Sequence, residues 1–85
     1  MKAIRMHAYG GADVLKYEDV PQPQPAADEV LIRVRAAGVN PVDWKIREGY
    51  LGKIYALPHI LGADVAGVVE SVGSAVQRLK PGDEV

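Results

Sequence analysis

The segment from Asn40 to Lys45 reads Asn-Pro-Val-Asp-Trp-Lys and gathers four polar or aromatic side chains in six residues. It contains an amide, a carboxylate, an indole and an ammonium group, which together offer hydrogen-bond donors and one charge of each sign. Asparagine is a preferred N-cap residue, and proline is favoured in the first helical turn. The segment therefore predicts a short helix over Pro41–Glu48, with Gly49 ending it.

Other side chains that could carry chemistry give weaker signals. His7 and His59 are far apart in sequence, and the chain has no cysteine, so a metal site has little support. Ser71 and Ser74 flank Gly73 without the motif of a nucleophile elbow. No residue is therefore predicted to bind a metal, and none is an obvious nucleophile or general base.

Length, charge and hydropathy limit the class of protein. The chain has 85 residues, which suits one small domain. Ten basic and eleven acidic side chains give a net charge of −1 without blocks of like charge, so neither nucleic acid nor a membrane surface is an expected partner. No apolar run approaches the roughly 20 residues that span a bilayer, and the first residues do not resemble a secretory signal. A soluble, cytoplasmic protein is the expectation.

Apolar and polar residues alternate with the period of a strand in several segments. The predicted strands cover residues 2–9, 15–17, 29–39 and 64–72. The third should be the longest, and the fourth should be buried because it is rich in valine and alanine. Gly67 inside the fourth indicates a bulge or a close approach of two backbones.

The segments between the strands are typical of turns and loops. Alternating prolines predict an extended connector over residues 21–25, and Tyr50–His59 lacks a clean period and is predicted to be a loop. Pro81–Asp83 predicts a turn, with a strand beginning at Glu84. Short strands with one short helix indicate a mainly β fold, either a partly open β-barrel or two β layers.

Five segments resemble, in order and spacing, the GroES-like catalytic domain of the medium-chain dehydrogenase/reductase superfamily. They are Met1–Ile4, Glu29–Val34, Gly38–Asp43, Gly62–Gly73 and Lys80–Val85. Zinc-binding alcohol dehydrogenases of that superfamily carry a cysteine where this chain has Asn40 and a histidine where it has Ala63. The sequence around Asn40 instead resembles that of the zinc-free quinone oxidoreductase and alkenal/enone reductase branch, whose members use NADPH.

The resemblance implies a GroES-like, partly open β-barrel with a short helix. Residues 1–85 would be the N-terminal portion of the catalytic domain, and a Rossmann domain outside this chain would hold the dinucleotide. A Gly-x-Gly-x-x-Gly fingerprint does not occur in the sequence. The chain is thus expected to be a fragment, inactive alone, of a zinc-independent, NADPH-dependent reductase of quinones or α,β-unsaturated carbonyls. The full-length enzyme is expected to act on small molecules and could form a homodimer.

The resemblance also implies roles for residues near the acceptor. Hydride transfer puts negative charge on the acceptor oxygen, and without zinc hydrogen-bond donors must stabilise that charge. Asn40 is the first candidate, with Tyr50 and Tyr55 of the loop as further catalytic candidates. Asn40 has the alternative role of helix N-cap, and the two roles can coexist. For the tyrosines the alternative is closure of the loop onto the barrel.

Four residues are candidates for cofactor binding: Asn40, Asp43, Trp44 and Lys45. Asp43 could instead interact only with the helix dipole, Trp44 could be a packing anchor, and Lys45 could simply be solvated. Asp64 replaces a glutamate that neighbours the histidine ligand in the zinc-dependent relatives, and it is expected to satisfy backbone donors.

Two other functions are left open by the sequence. One is a zinc-type alcohol dehydrogenase whose ligands have moved. The other is a GroES-like module that binds or assembles with a partner without catalysis. Zinc content would identify the first, and a native chain of this length would favour the second.

Overall fold

The computed structural model describes residues 1–85, and the chain divides into two compact units. The first unit contains Met1–Pro21 and Val39–Gly62, and the second contains Gln22–Gly38 and Ala63–Val85. The elements in chain order are β1 (Lys2–Met6), a short 3₁₀ helix (Ala12–Val14), β2 (Leu15–Asp19), β3 (Val30–Ala37), α1 (Pro41–Glu48) and β4 (Val65–Val72). The predicted mainly β fold with one short α-helix is confirmed. No helix of residues 1–85 is long and apolar enough to cross a membrane.

The first unit contains an antiparallel hairpin of β1 and β2. Lys2 lies opposite Asp19 at one end, and Met6 lies opposite Leu15 at the other. Met6 is fully buried, and its backbone exchanges two hydrogen bonds with His59, of 2.9 and 3.0 Å. The strand ends at Met6 instead of continuing as predicted, because β2 begins at Leu15 and offers no partner beyond that pair.

Helix α1 has the bounds that its capping residues predict. Asn40 is its N-cap in an extended conformation, with φ −126° and ψ 158°. Gly49 ends the helix at φ 84°, a left-handed conformation that glycine adopts without a steric penalty. The N–H of Tyr50 then donates to the carbonyl of Lys45 at 2.9 Å, which turns the chain into the loop.

The second unit is built on antiparallel pairing of β3 with β4. Val30 lies opposite Val72 and Ala37 opposite Val65, with two register shifts between these ends. Gly67 is buried, and a Cβ at this position would collide with the carbonyl oxygen of a residue on β3. The close backbone approach predicted at Gly67 is confirmed.

Two predictions about these strands are wrong. β4 is not a buried strand: Gly67 and Val69 are buried, whereas Val65 is 46% exposed. One face of a two-stranded sheet is left without a covering layer, so an apolar composition does not imply burial. β3 is not the longest strand, since β3 and β4 both have eight residues. Each sheet has two strands and neither closes on itself.

The end of the chain returns to β4. Gly67 and Val85 exchange two backbone hydrogen bonds of 2.9 Å, and Val68 forms an isolated bridge with Glu84. The predicted turn at Pro81–Asp83 and the strand-like start at Glu84 are both confirmed. Residues 20–26 contain neither helix nor strand, in agreement with the predicted extended connector.

Candidate functional site

The N-terminus of α1 is held by a capping box between Asn40 and Asp43. The Asp43 carboxylate accepts a hydrogen bond from the backbone N–H of Asn40 at 2.9 Å, and the N–H of Asp43 donates to the carbonyl of Asn40 at 2.9 Å. Asp43 is only 9% exposed. Its carboxylate is also stabilised by the positive end of the helix dipole. The N-cap role predicted for Asn40 is confirmed, and Asp43 is engaged with the backbone.

Trp44, Lys45 and Tyr50 form a cluster on the exposed side of α1 and at the start of the loop. The rings of Trp44 and Tyr50 meet edge to face, with centroids 5.5 Å apart at 84°. The Nζ atom of Lys45 lies 5.8 Å from the centroid of the Trp44 ring. Trp44 is 42% exposed and Tyr50 is 72% exposed. The cluster therefore presents aromatic surface and one positive charge to solvent, a combination that suits a planar ring or a phosphate.

Tyr55 lies in the middle of the loop, with different neighbours. Its ring packs on the imidazole of His59 with centroids 4.8 Å apart, whereas the ring of Tyr50 packs on Trp44. Its backbone is bound by the hydroxyl of Tyr9, which accepts from the Tyr55 N–H at 2.8 Å and donates to the Tyr55 carbonyl at 2.9 Å. The structure thus brings Trp44, Lys45 and Tyr50 together but gives Tyr55 a separate setting.

Sequence reasoning missed Tyr9 and Arg47, which support this part of the first unit. The N–H of Gly10 donates to the Arg47 carbonyl at 3.0 Å, and Nε of Arg47 donates to the Gly10 carbonyl at 3.1 Å. The sequence signal was an aromatic residue at the end of a strand-like segment, followed by two glycines. That signal predicts a turn but not the partners of Tyr9 and Gly10.

Asp64 lies in the second unit, beside Gly38. The carbonyl of Asp64 accepts a hydrogen bond from the N–H of Gly38 at 3.1 Å, and a Cβ on Gly38 would lie 2.9 Å from the Cβ of Asp64. The backbone of Asp64 thus satisfies one donor, while the predicted role of its carboxylate stays a prediction.

Two further observations concern binding sites. A surface cavity of about 650 Å³ in the second unit is lined by Asp28, Val30 and residues 75–79, so none of the predicted site residues lines it. Residues 1–85 contain no group of three or more His, Cys, Asp or Glu side chains that could hold a metal ion.

The chain resembles known oxidoreductases over its whole length. Residues 26–85 match the family model described as the alcohol dehydrogenase GroES-like domain. The chain is 53% identical over 87 residues to an NADPH-dependent alkenal/one oxidoreductase of Arabidopsis thaliana, and 50% identical over 86 residues to the quinone oxidoreductase of Rattus norvegicus. The alignments cover 100% of this chain but 22% and 26% of those relatives.

A solved structure of an oxidoreductase is also similar to this chain. The quinone oxidoreductase of Escherichia coli, in complex with NADPH, matches with a TM-score of 0.92 and 36% sequence identity. The match covers 99% of this chain and 26% of that chain. This chain thus spans about a quarter of the length of the proteins it matches, and the resemblance inferred from its five segments is confirmed. The chain belongs to the alcohol dehydrogenase GroES-like domain family.

Proposed function

We propose that the whole protein is a zinc-independent, NADPH-dependent oxidoreductase that reduces quinones or α,β-unsaturated carbonyls by hydride transfer. The observation that carries this proposal is sequence identity of 50% or more, across the whole chain, to a quinone oxidoreductase and an alkenal/one oxidoreductase. Residues 1–85 form the N-terminal portion of the GroES-like catalytic domain in this proposal. A Rossmann domain elsewhere in the full-length protein provides most of the dinucleotide site.

The exposed cluster on α1 fits a dinucleotide. Lys45 offers a positive charge suited to a phosphate, and Trp44 offers a partly exposed aromatic surface suited to a ring. Asp43 acts through the backbone of Asn40, which it holds at the start of the helix. NADPH, when bound, supplies the hydride. Asn40, Asp43, Trp44 and Lys45 are the residues of this chain proposed to hold or orient the cofactor.

The acceptor needs hydrogen-bond donors where its negative charge develops. We assign this role to the amide of Asn40, helped by the phenol of Tyr50 or Tyr55. A donor at the N-terminus of a helix is favoured because the helix dipole also stabilises negative charge there. Solvent delivers the proton, since an activated acceptor needs positioning and electrophilic help more than a general base.

The proposal also covers partners and location. A net charge of −1 supports a small-molecule acceptor in preference to nucleic acid. A homodimer of the full-length enzyme and a cytoplasmic location complete the proposal, and native mass measurement and cell fractionation would check them.

The test is an activity assay on the full-length protein with matched acceptors. NADPH oxidation is followed with a quinone, an α,β-unsaturated aldehyde and its saturated counterpart, before and after treatment with a zinc chelator. We expect turnover with the first two, much less with the third, and no loss on chelation. In a parallel assay with an alcohol and NADP⁺, oxidation that disappears on chelation and returns with zinc would favour an alcohol dehydrogenase instead. A folded full-length protein that reduces none of these acceptors would contradict the proposal.

A further inference from the structure

The hydroxyl of Tyr9 satisfies both backbone groups of one residue. It accepts from the N–H of Tyr55 at 2.8 Å and donates to the carbonyl of Tyr55 at 2.9 Å, across 46 positions of sequence. A phenol has one proton to donate and lone pairs to accept, so it can fill both roles at once. A carboxylate could only accept, and an ammonium could only donate. The contact therefore needs a group that both donates and accepts, and the Tyr9 hydroxyl is such a group.

The contact lies in the middle of a loop that has no regular secondary structure of its own. Residues 50–59 form neither helix nor strand, and the neighbouring Ile54 is 79% exposed. The end of the loop is bound at His59, whose backbone pairs with Met6. Tyr9 supplies the attachment in the middle, at Tyr55.

Tyr9 is itself held in place. Gly10, the next residue, is bound through both its N–H and its carbonyl to Arg47 of α1, at 3.0 and 3.1 Å. The Nζ atom of Lys53 lies 6.0 Å from the centroid of the Tyr9 ring, a cation–π arrangement on the loop side. The neighbour of Tyr9 is thus bound to helix α1, which is more rigid than the loop that the Tyr9 hydroxyl binds.

Both the backbone and the ring of Tyr55 have partners. Its backbone is bound by Tyr9, and its ring packs on His59 at 4.8 Å. A catalytic phenol must be held near its productive geometry, because a donor that moves away from that geometry stabilises the transition state much less.

We infer that Tyr9 is a positioning residue, which fixes Tyr55 so that its phenol meets the acceptor in one defined place. This inference rests on the proposed function, in which Tyr50 and Tyr55 are the two candidate phenols, and it selects Tyr55 as the donor to the acceptor. Tyr9 is not a catalytic residue, because both functions of its hydroxyl are used by the backbone of Tyr55.

The first test is Tyr9→Phe in the full-length enzyme, which removes the hydroxyl and keeps the ring. We expect kcat/KM for the quinone to fall about tenfold, as two hydrogen bonds that order the loop are lost. The KM for NADPH should not change. The matched control is Tyr17→Phe, since Tyr17 is 67% exposed on β2, and this variant should behave as the parent enzyme.

A double-mutant cycle separates positioning from a general structural role. In a Tyr55→Phe background, Tyr9→Phe should lower kcat/KM by less than about twofold, because its effect acts through the Tyr55 phenol. Full additivity of the two substitutions would overturn the inference. So would a Tyr9→Phe enzyme that unfolds at lower temperature but keeps the parent kcat/KM.

Hydrogen–deuterium exchange of the loop gives a readout that needs no turnover. Tyr9→Phe should speed exchange in the peptide that contains Tyr55, because its N–H loses its partner. Unchanged exchange would overturn the inference. An inactive parent enzyme would instead overturn the proposed function, and with it the role of Tyr9 in that reaction, whatever the exchange of the loop.

Discussion

The carboxylate of Asp43 lies 2.9 Å from the backbone nitrogen of Asn40, from which it accepts a hydrogen bond. The pair joins the two ends of the first helical turn, and Asp43 is nearly buried there. Asn40 is therefore fixed through its backbone, independently of what its side chain binds. Structural and functional roles can be separated by substitutions at the two positions.

Asp43→Ala should lower the free energy of unfolding by about 1 to 2 kcal/mol, because the capping box loses its acceptor. The measurement is denaturant unfolding of the full-length protein. Asp19→Ala is the matched control, since Asp19 forms an exposed ion pair with Lys2 at 2.9 Å. Such surface pairs contribute less than about 1 kcal/mol. Equal losses in the two variants would contradict the capping role of Asp43.

Asn40→Asp should keep the helix but impair the reaction. Aspartate caps helices about as well as asparagine, so the unfolding free energy should change by less than about 0.5 kcal/mol. A carboxylate cannot donate, so kcat should fall by about 100-fold or more if the amide stabilises the acceptor oxygen. Steady-state kinetics and unfolding of the same samples provide the check. Parent kcat in this variant would leave Asn40 with the N-cap role alone.

Gly67→Ala should destabilise the second unit strongly. The new Cβ would collide with the carbonyl oxygen of Arg33 on the neighbouring strand, so the β3–β4 pairing must open or shift. We expect a loss of more than about 2 kcal/mol, in the range of overpacked sites. Thermal unfolding of the full-length protein measures this loss. Gly11→Ala is the control, because Gly11 has φ −75° and a Cβ there would meet only the side chain of Asp13 at 3.3 Å. Similar melting temperatures for both variants would show that the strands do not approach as closely as described.

Glu18 should make stability depend on pH in the acid range. Its pKa is held below the ordinary value of 4.5, chiefly by the hydrogen bond with His7 and then by that with Arg5. The Nε2 atom of His7 lies 2.5 Å and the Nε atom of Arg5 lies 2.6 Å from the same carboxylate oxygen. Because the pKa is lower in the folded state, the ionised form favours folding. Its contribution is complete above pH 4.5 and is lost as the pH falls through the lowered pKa.

In the Glu18→Gln variant, the free energy of unfolding should therefore decrease less steeply than in the parent protein as the pH falls below 4.5. The experiment compares urea midpoints of the two proteins across that range. Asp83, whose pKa is lowered by its hydrogen bonds with Lys80, is present in both proteins. Only the difference between the two curves is assigned to Glu18. Parallel curves would mean that the contact with His7 and Arg5 does not favour the folded state.

The local parts of this fold could be predicted because they depend on neighbours in sequence. The cap at Asn40, the proline after it and Gly49 set both ends of α1 with no help from distant residues. The need for glycine at position 67 was also visible, since a glycine within a valine-rich strand indicates a close approach. The sequence did not show which backbone approaches Gly67, because the register of β3 against β4 depends on both strands together.

The sequence by itself determined the helix that carries Asn40, Asp43, Trp44 and Lys45, and the five segments on which the family resemblance rests. These features follow from residue types and short spacings. Only the tertiary structure decided that Tyr55 is bound by Tyr9, and that β4 is buried at Gly67 and Val69 but exposed at its start. Such contacts join residues that are distant in sequence or depend on which layer covers a sheet. No local pattern of hydropathy or turn residues encodes them, so they become defined only when the chain has folded.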